Sequence, residues 1–249
     1  GTQSLKCNVL RLQKHGDSNS SIITPLYECT VSYDEELPHY GTINGVKPNN
    51  NKQLEVLVDP LMWIEALELA LCKIQKSNSN NVLSDIDAIA TSAQQHGSVY
   101  WKSGAIDSLK KITHASFSDG SVPSLTFALK TASVFACDSP IWMDSSTHAQ
   151  CVLLESLVTP SGKETVAQIT GSRATERFTA SQVTKRLPFF ASSHAINNNN
   201  YNLIITLLER ISLISSFIPT LLMGNEYAPI DYGDGSGMNL LDMHTMKWS

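Results

Sequence analysis

The sequence predicts a single α/β domain in which helices flank a mixed sheet. Two strand-like runs come first, at 5–12 and 22–31, and a polar turn separates them. From Asp59 onward, short apolar segments with strand character alternate with helical segments. Early paired strands followed by strand–helix alternation are typical of a sheet that helices cover.

The first two runs predict a β-hairpin. Residues 22–31 are rich in β-branched and aromatic side chains, and the segment HGDSN at 15–19 has the composition of a turn. The first run follows Gly1 so closely that we expect the chain to begin inside a structural element.

The clearest helix is predicted to begin at Pro60. Asp59 is a natural N-cap, and a proline at the first helical position loses no hydrogen bond that the helix needs. Glutamates lie in its early turns and lysines near its end, as the helix dipole prefers. Because its polar stripe is narrow, we expect most of its circumference, including Met62, Leu69 and Ile74, to be buried.

A polar cluster follows a predicted strand in the middle of the chain. Residues 85–93 are mostly apolar and lead into the segment QQHG at 94–97. Open α/β sheets place their ligand sites at the ends of buried strands. The sequence therefore predicts a binding loop at 94–97.

The segment 139–144 has the same design. Its apolar residues predict a short strand, and Asp144 and Ser145 can cap a helix over 146–158. Two further helices are predicted, at 180–187 and 211–223.

Composition excludes several classes of partner. The net charge of −5 leaves no broad basic face for nucleic acid or an anionic membrane, and no run approaches the ~18 apolar residues of a membrane helix. The five cysteines are dispersed, which is typical of reduced thiols. No signal peptide is visible, so we expect a cytoplasmic protein. Asn-rich tracts, interpreted as loop insertions, lie at 49–51, 77–81 and 197–200.

Generic catalytic motifs are absent from the sequence. The pair Gly162-Lys163 lacks the preceding glycine and the following hydroxyl residue of a P-loop. The glycine-rich run at 233–237 has the spacing of neither a dinucleotide fingerprint nor a nucleophile elbow. The histidines include no H-x-x-x-H pair, so we predict no metal site in the chain.

Five other segments combine polar and small residues beside apolar strands. They are GTQSLK at 1–6, QQHGSVYW at 94–101, WMDSST at 142–147, TGSRATERF at 170–178 and DYGDGSGMNL at 231–240. In content and order they resemble the xylulokinases of the FGGY carbohydrate kinase family, above all the animal and plant members. The resemblance spans essentially the whole chain, and the second and fourth segments are long and specific.

This resemblance implies an actin-like, ribonuclease H-like fold, of which a family member has two copies with sugar and ATP in the cleft between them. It implies transfer of the γ-phosphoryl group of MgATP to the 5-hydroxyl of D-xylulose, with ATP and Mg²⁺ as cofactors and a small-molecule sugar as partner. Residues 1–249 correspond to the N-terminal, sugar-binding domain, and the second, nucleotide-binding domain is absent. The oligomeric state is left open.

The resemblance also assigns site residues. Gln95, His96 and Arg177 match residues that bind the sugar, and Trp101 or Trp142 can offer it an apolar face. Directional donors from an imidazole and a guanidinium suit a polyol. The residues that match the ATP-phosphate-binding hairpin are Thr2, Gln3, Ser4 and Lys6.

Each of these residues also has a structural interpretation. His96 can be a hydrogen-bonding residue of a turn, and Arg177 can be the salt-bridge partner of Glu176. The tryptophans can belong to the core. Asp144 and Asp234 are explained by helix capping and by an Asx turn.

The sequence departs from the family pattern in three ways. The catalytic base of relatives belongs to a Gly-Asp-Asn segment, which this sequence lacks, so the catalytic residue is unknown and the isolated chain is predicted to be inactive. Thr175 and Ala93 stand where relatives usually have Tyr and Gly. Two alternatives therefore stay open: a kinase of another pentulose or polyol, and a non-catalytic sugar-binding module.

Overall fold

The computed structural model describes residues 1–14, 21–49, 54–77, 82–114, 124–192 and 207–248. The predicted turn at 15–19 and nearly all of the Asn-rich tracts lie outside these ranges. Within them, the chain folds into short antiparallel strand pairs that helices cover, and a single main hydrophobic core lies between the strands and helices.

The chain opens with the predicted hairpin. Strand β1 (Ser4–Lys14) pairs antiparallel with β2 (Ser21–Ser32), and a bulge between Val9 and Leu10 shifts the register. Because side chains alternate across a strand, one face of the hairpin turns Val9, Cys29 and Val31 into the core.

Two short elements and the long helix follow. They are α1 (Tyr33–Glu36), a 3₁₀-helix at Pro38–Tyr40, β3 (Leu57–Val58) and α2 (Pro60–Ser77). Helix α2 begins at Pro60 as predicted, and Asp59 Oδ1 accepts a hydrogen bond from the Leu61 amide at 2.9 Å. Met62 and Ile74 are buried as predicted, whereas Leu69 is only partly buried against the core.

The remaining elements alternate as the sequence predicts. In chain order they are a 3₁₀-helix at Val82–Asp85, β4 (Ser98–Lys102), α3 (Ala105–His114), α4 (Leu125–Ala132), β5 (Ser139–Pro140), α5 (His148–Leu157), α6 (Lys163–Thr170), α7 (Thr179–Ser192), β6 (Leu208–Leu213), α8 (Ile214–Met223), α9 (Tyr232–Ser236), β7 (Leu241–Asp242) and β8 (Lys247–Trp248). The α/β class is thereby confirmed.

The strands of the described ranges pair two by two. Besides β1 with β2, the pairs are β3 with β5, β4 with β6, and β7 with β8, and all four are antiparallel. The predicted helix at 211–223 is divided by this pairing. Residues 211–213 belong to β6 opposite Ser98–Tyr100, and the helix begins only at Ile214.

The predicted strand at 85–93 is wrong. After the 3₁₀-helix at Val82–Asp85 the backbone is irregular as far as Gln94, and Ile89 is 60% exposed. A strand forms only where a neighbouring strand offers a free backbone edge. Among the described residues no strand pairs with 86–93, so its apolar composition does not produce one. The polar residues 94–97 consequently lie before strand β4.

An aromatic cluster anchors β4 and α8 in the core. Trp101 is fully buried, and its ring lies 5.4 Å from those of Phe217 and Tyr227, and 5.0 Å from that of Phe135, between centroids. Its indole N–H donates to Ser212 Oγ at 3.0 Å, which supplies the partner that a buried indole requires. The start of β4 and the binding loop before it therefore rest on a rigid base.

The described helices and the cysteines agree with the composition. No helix in the described ranges combines the length and the apolar character that crossing a membrane demands. All five cysteines are free thiols, as their dispersed positions predict.

Candidate functional site

The binding loop turns sharply at His96. Its backbone φ of +60° lies in the left-handed region, and Gly97 behind it is buried. A Cβ at Gly97 would lie 2.3 Å from Ile214 Cδ1, so a larger residue there would require the Ile214 side chain to move. The Ile214 amide donates to the Gly97 carbonyl at 3.2 Å and joins the loop to the start of α8.

Two contacts fix the imidazole of His96. Its Nδ1 lies 3.2 Å from the carbonyl of Gly237, and its ring stacks on Phe178 with centroids 4.6 Å apart and planes 27° apart. Since a carbonyl can only accept, Nδ1 carries the proton, and in the neutral ring Nε2 keeps its lone pair. A Cβ at Gly237 would lie 2.9 Å from His96 Cε1, so this glycine permits the contact.

The electrostatic surroundings favour the neutral imidazole. Partial burial lowers the pKa of His96, the hydrogen bond to Gly237 raises it, and the charge of Arg177 lowers it further. Asp234 acts in the opposite direction, but the net pKa is below the ordinary value. At neutral pH, therefore, Nε2 can accept a hydrogen bond from a hydroxyl group.

Arg177 lies next to this imidazole and presents a free guanidinium. The residue is exposed, and its side chain makes no hydrogen bond or ion pair within the described part of the chain. Glu176 pairs instead with His148, whose Nδ1 lies 3.2 Å from its carboxylate. Arg177 and Glu176 form no ion pair in the described part of the chain, although the charge of Arg177 contributes to lowering the pKa of the Glu176 carboxyl.

The backbone ahead of Arg177 is held from two sides. The Glu176 carbonyl accepts hydrogen bonds from Thr147 Oγ1 and, at 2.9 Å, from Gln182 Nε2. Both donors are fully buried. Because the carbonyl is fixed, the guanidinium extends from a defined point although it has no partner of its own.

The other arginine of the same segment is used differently. Arg173 donates from Nε and Nη2 to the Glu155 carboxylate at 3.2 and 3.3 Å. Asn239, which is buried, donates to Thr170 Oγ1 at 2.9 Å and to the Ser172 carbonyl at 3.2 Å. These contacts hold the start of the segment in place.

Asp144 is fully buried, and its carboxylate joins several segments through hydrogen bonds. Its carboxylate accepts hydrogen bonds from the amides of Val56 and Ser146 at 3.0 Å and from Gln182 Nε2 at 2.9 Å. The prediction that Asp144 caps the helix over 146–158 is wrong, because α5 begins at His148 and its N-cap residue is Thr147. The carboxylate instead orients Gln182, which supports Arg177.

Asp234 lies in the short helix α9. Asp231 caps this helix by accepting from the Gly233 amide at 2.7 Å, and Ser215 Oγ donates to the Asp234 carboxylate. The charge of Asp234 reaches His96, as the imidazole pKa records. Both aspartates of the glycine-rich segment thus have structural partners.

Thr2 joins the first hairpin to the binding loop. The indole Nε1 of Trp142 donates to Thr2 Oγ1 at 2.9 Å, and the same hydroxyl donates to Gln94 Oε1 at 3.4 Å. Gln95, the next residue of the loop, is exposed. The two tryptophans are distinguished here: Trp101 is core, whereas Trp142 is 40% exposed beside the loop.

The other hairpin residues lie at the same end of the molecule. Gln3 is exposed, and its carbonyl accepts from the Tyr33 amide at 3.1 Å. Ser4 and Lys6 lie on the face of β1 opposite to Leu5, which packs on the core. Lys6 is exposed, so its ammonium group is available to an anion.

The loop at residues 42–45, which the sequence analysis did not identify, packs against the backbone of Thr2. A Cβ at Gly45, where φ is +77°, would lie 2.1 Å from the Thr2 carbonyl oxygen. The Asp34 carboxylate holds this loop by accepting from Thr42 Oγ1 at 2.7 Å and from the amides of Asn44 and Gly45 at 2.6 and 3.0 Å. The pair Asn44-Gly45 is a turn signal, but its target is distant in sequence.

The chain has named relatives, although no protein-family model matches it. It is 42% identical over 224 residues to a xylulose kinase of Rattus norvegicus, a match that covers 90% of the chain and 37% of the relative. It is 40% identical over 249 residues to xylulose kinase 2 of Arabidopsis thaliana, with 100% of the chain and 38% of the relative covered. A xylulose kinase of Saccharomyces cerevisiae is 33% identical over 250 residues, with 100% and 36% covered.

A solved structure agrees in fold. The crystal structure of a xyloylose kinase from Brucella ovis matches 92% of this chain and 36% of that chain with a TM-score of 0.53 at 16% identity. At this identity the likeness establishes the fold alone, and it confirms the predicted actin-like α/β fold. The chain spans 36% to 38% of the length of these named relatives. It is a homologue of the xylulose kinases along nearly all of its own length and a little more than a third of theirs.

Proposed function

We propose that this chain is the sugar-binding part of an ATP-dependent kinase that converts D-xylulose to D-xylulose 5-phosphate. The observation that carries the proposal is the proximity of Arg177, whose guanidinium has no partner among the described residues, to a neutral His96 that stacks on the next residue, Phe178. The names of its relatives supply the acceptor sugar.

The chemistry of the pair suits a polyol. Arg177 offers several N–H donors in a planar fork, and His96 offers one acceptor at Nε2. Adjacent hydroxyl groups of a ketose can accept from the first and donate to the second. Gln95 adds an exposed amide, and Trp142 adds an exposed apolar face for the carbon side of the sugar.

The phosphate donor would approach the first hairpin. ATP and Mg²⁺ supply the transferable phosphoryl group and neutralise its charge. The exposed Lys6 fits an anion, and the turn around Gln3 and Ser4 lies beside it. Mg²⁺ usually retains several waters and binds through substrate phosphates, so the proposal assigns it to the nucleotide and to no residue of this chain.

We place residues 1–249 as the N-terminal domain of a two-domain kinase. In this proposal the base that accepts the hydroxyl proton, and the domain that holds the adenine, belong to sequence other than 1–249. The carboxylates of Asp144 and Asp234 are each engaged by hydrogen-bond donors. We also place the protein in the cytoplasm, where free thiols persist.

One observation favours a second acceptor. Thr175, two residues before Arg177, donates to the Arg173 carbonyl at 3.2 Å. A tyrosine, the usual family residue, cannot make this short contact, so the segment that leads into Arg177 departs here from the family pattern. A related pentulose or polyol is therefore the alternative substrate.

Calorimetric titration of the purified chain with D-xylulose, D-ribulose and glycerol tests the proposal. We expect D-xylulose to bind best, and Arg177→Met to weaken its binding by about 1.5–3 kcal/mol because a charge-assisted hydrogen bond is lost. Arg173→Met is the matched control, since Arg173 contacts Glu155, and it should bind D-xylulose as the wild type does.

Three results would contradict the proposal. They are a preference for glycerol, no binding of either ketose by a folded sample, and equal losses in Arg177→Met and Arg173→Met. A preference for D-ribulose would support the alternative acceptor.

A further inference from the structure

The hydroxyl of Thr2 makes two hydrogen bonds that lead in different directions. It accepts from the Trp142 indole at 2.9 Å and donates to Gln94 Oε1 at 3.4 Å. An indole N–H can only donate, so the hydroxyl proton is left for the Gln94 carbonyl oxygen. The hydroxyl of Thr2 thus uses both its acceptor and its donor capacity on protein groups.

The first branch leads to His96. Gln94 is separated from His96 by Gln95 alone, in a loop whose far end is pinned by the Gly97–Ile214 backbone hydrogen bond. Thr2 therefore fixes the near end of the loop that carries the imidazole.

The second branch leads to Arg177. Trp142 lies two residues before Asp144, whose buried carboxylate accepts from Gln182. Gln182 in turn donates to the Glu176 carbonyl, which directly precedes Arg177. One hydroxyl group is thus connected to the supports of both proposed sugar-binding residues, in each branch through a hydrogen bond followed by two residues of chain.

The backbone of Thr2 is fixed from the opposite side. Gly45 lies against its carbonyl so closely that a Cβ would be 2.1 Å away, and the Tyr33 hydroxyl donates to the Gly1 carbonyl at 3.2 Å. These contacts hold the backbone of residues 1–2 in place. The Thr2 hydroxyl therefore holds the loop at 94–97 in a fixed position relative to these residues.

We propose that Thr2 is a positioning residue. It couples residues 1–3, which lead into the first hairpin, to the proposed sugar-binding residues His96 and Arg177. This inference rests on the proposed function for the identity of the ligand. The inference gives Thr2 and Lys6 different roles. The exposed Lys6 can bind an anion directly, whereas the Thr2 hydroxyl acts through Trp142 and Gln94.

The test compares Thr2→Val with Thr2→Ser, both in a Trp248→Phe background. Thr2→Val keeps the shape and removes the hydroxyl, and Thr2→Ser keeps the hydroxyl. Of the tryptophans that remain, Trp63 and Trp101 are 2% and 0% exposed, so acrylamide quenching reports mainly on Trp142.

We expect Thr2→Val to raise the D-xylulose Kd by roughly five- to tenfold, the loss of about one hydrogen bond, and to increase Trp142 quenching. Thr2→Ser should restore both values to within about twofold. Thr91→Val is the matched control. It removes a part-buried hydroxyl that donates to the Ser215 carbonyl at 3.2 Å, and it should change neither quantity.

Several results separate the two proposals. Wild-type Kd and quenching in Thr2→Val would overturn the positioning role, as would equal impairment of the Val and Ser variants. If the wild type binds no D-xylulose, the proposed function fails. Acrylamide quenching of Trp142 in Thr2→Val, compared with that in Thr2→Ser, then still shows whether the hydroxyl positions this tryptophan. Equal quenching in the two variants would overturn the positioning role of Thr2.

Discussion

Two arginines four residues apart show how contacts decide function. Arg173 forms a bidentate ion pair with Glu155, whereas Arg177 follows a backbone carbonyl fixed at Glu176 and has no ion pair with any described residue. Because Arg177 is exposed, water can solvate its guanidinium and leaves its N–H donors accessible. The sequence alone does not distinguish the two, since both lie in the same polar segment at 170–178.

The imidazole of His96 yields a prediction on pH. Its pKa in the unfolded chain is about 6.5 and its pKa in the folded protein is lower, chiefly through burial. The unfolded state then binds more protons at mildly acid pH, so the free energy of unfolding falls as the pH drops through the unfolded pKa. Above that pH the contribution of His96 is constant.

Urea denaturation at about pH 7.5 and about pH 5.5 measures this dependence. We expect the wild type to lose more stability between the two values than His96→Gln, in which no group titrates at this position. An equal loss in both proteins would contradict a lowered pKa for His96.

At the scale of elements, the loop at residues 42–45, here called the clamp, packs against residues 1–3 at the start of the first hairpin. The Asp34 carboxylate holds residues 42–45, and Gly45 meets the Thr2 carbonyl. Partial burial raises the pKa of Asp34, but hydrogen bonds from Thr42, Gly45 and Asn44 outweigh it, so the pKa is lowered. The carboxylate is therefore ionised over the physiological range and keeps the clamp closed.

Gly45→Ala tests the clamp, and Gly41→Ala in the same loop is its matched control. Both glycines have positive φ, at +77° and +64°, but a Cβ at Gly41 meets nothing within 4 Å. We expect Gly41→Ala to cost about 1–2 kcal/mol of unfolding free energy from backbone strain alone. Gly45→Ala should cost about 2–5 kcal/mol, since overpacking is added. Equal costs in a denaturation experiment would show that the close approach does not matter.

Local signals predicted the hairpin and α2 because a turn, a cap or a dipole acts within a few residues. The strand at 85–93 was predicted wrongly, since strand formation depends on a partner that its own composition does not reveal. The same limit applies to the site. Motif resemblance pointed to His96 and Arg177, but the contacts of His96 with Phe178 and Gly237 join segments that are far apart in sequence.

At the scale of the whole molecule, the candidate sugar- and phosphate-binding residues are open to solvent. Arg177, Gln95 and Lys6 are exposed, and Trp142 is 40% exposed. Phosphoryl transfer requires the acceptor hydroxyl, a base, Mg²⁺ and the γ-phosphate to be held in line, in a site from which water is excluded. A site open to solvent can bind a sugar, but it does not supply this enclosure.

We therefore expect the purified chain to show no sugar-dependent ATP turnover. A coupled assay of ADP release with D-xylulose measures this, and the full-length xylulose kinase of Arabidopsis thaliana serves as the positive control. Turnover by this chain near the ~1–100 s⁻¹ of ordinary kinases would contradict the expectation. Asp144→Asn and Asp234→Asn would then identify the base. Of the two, Asp234 would be the stronger candidate, because its charge reaches His96, whereas Asp144 is fully buried among donors.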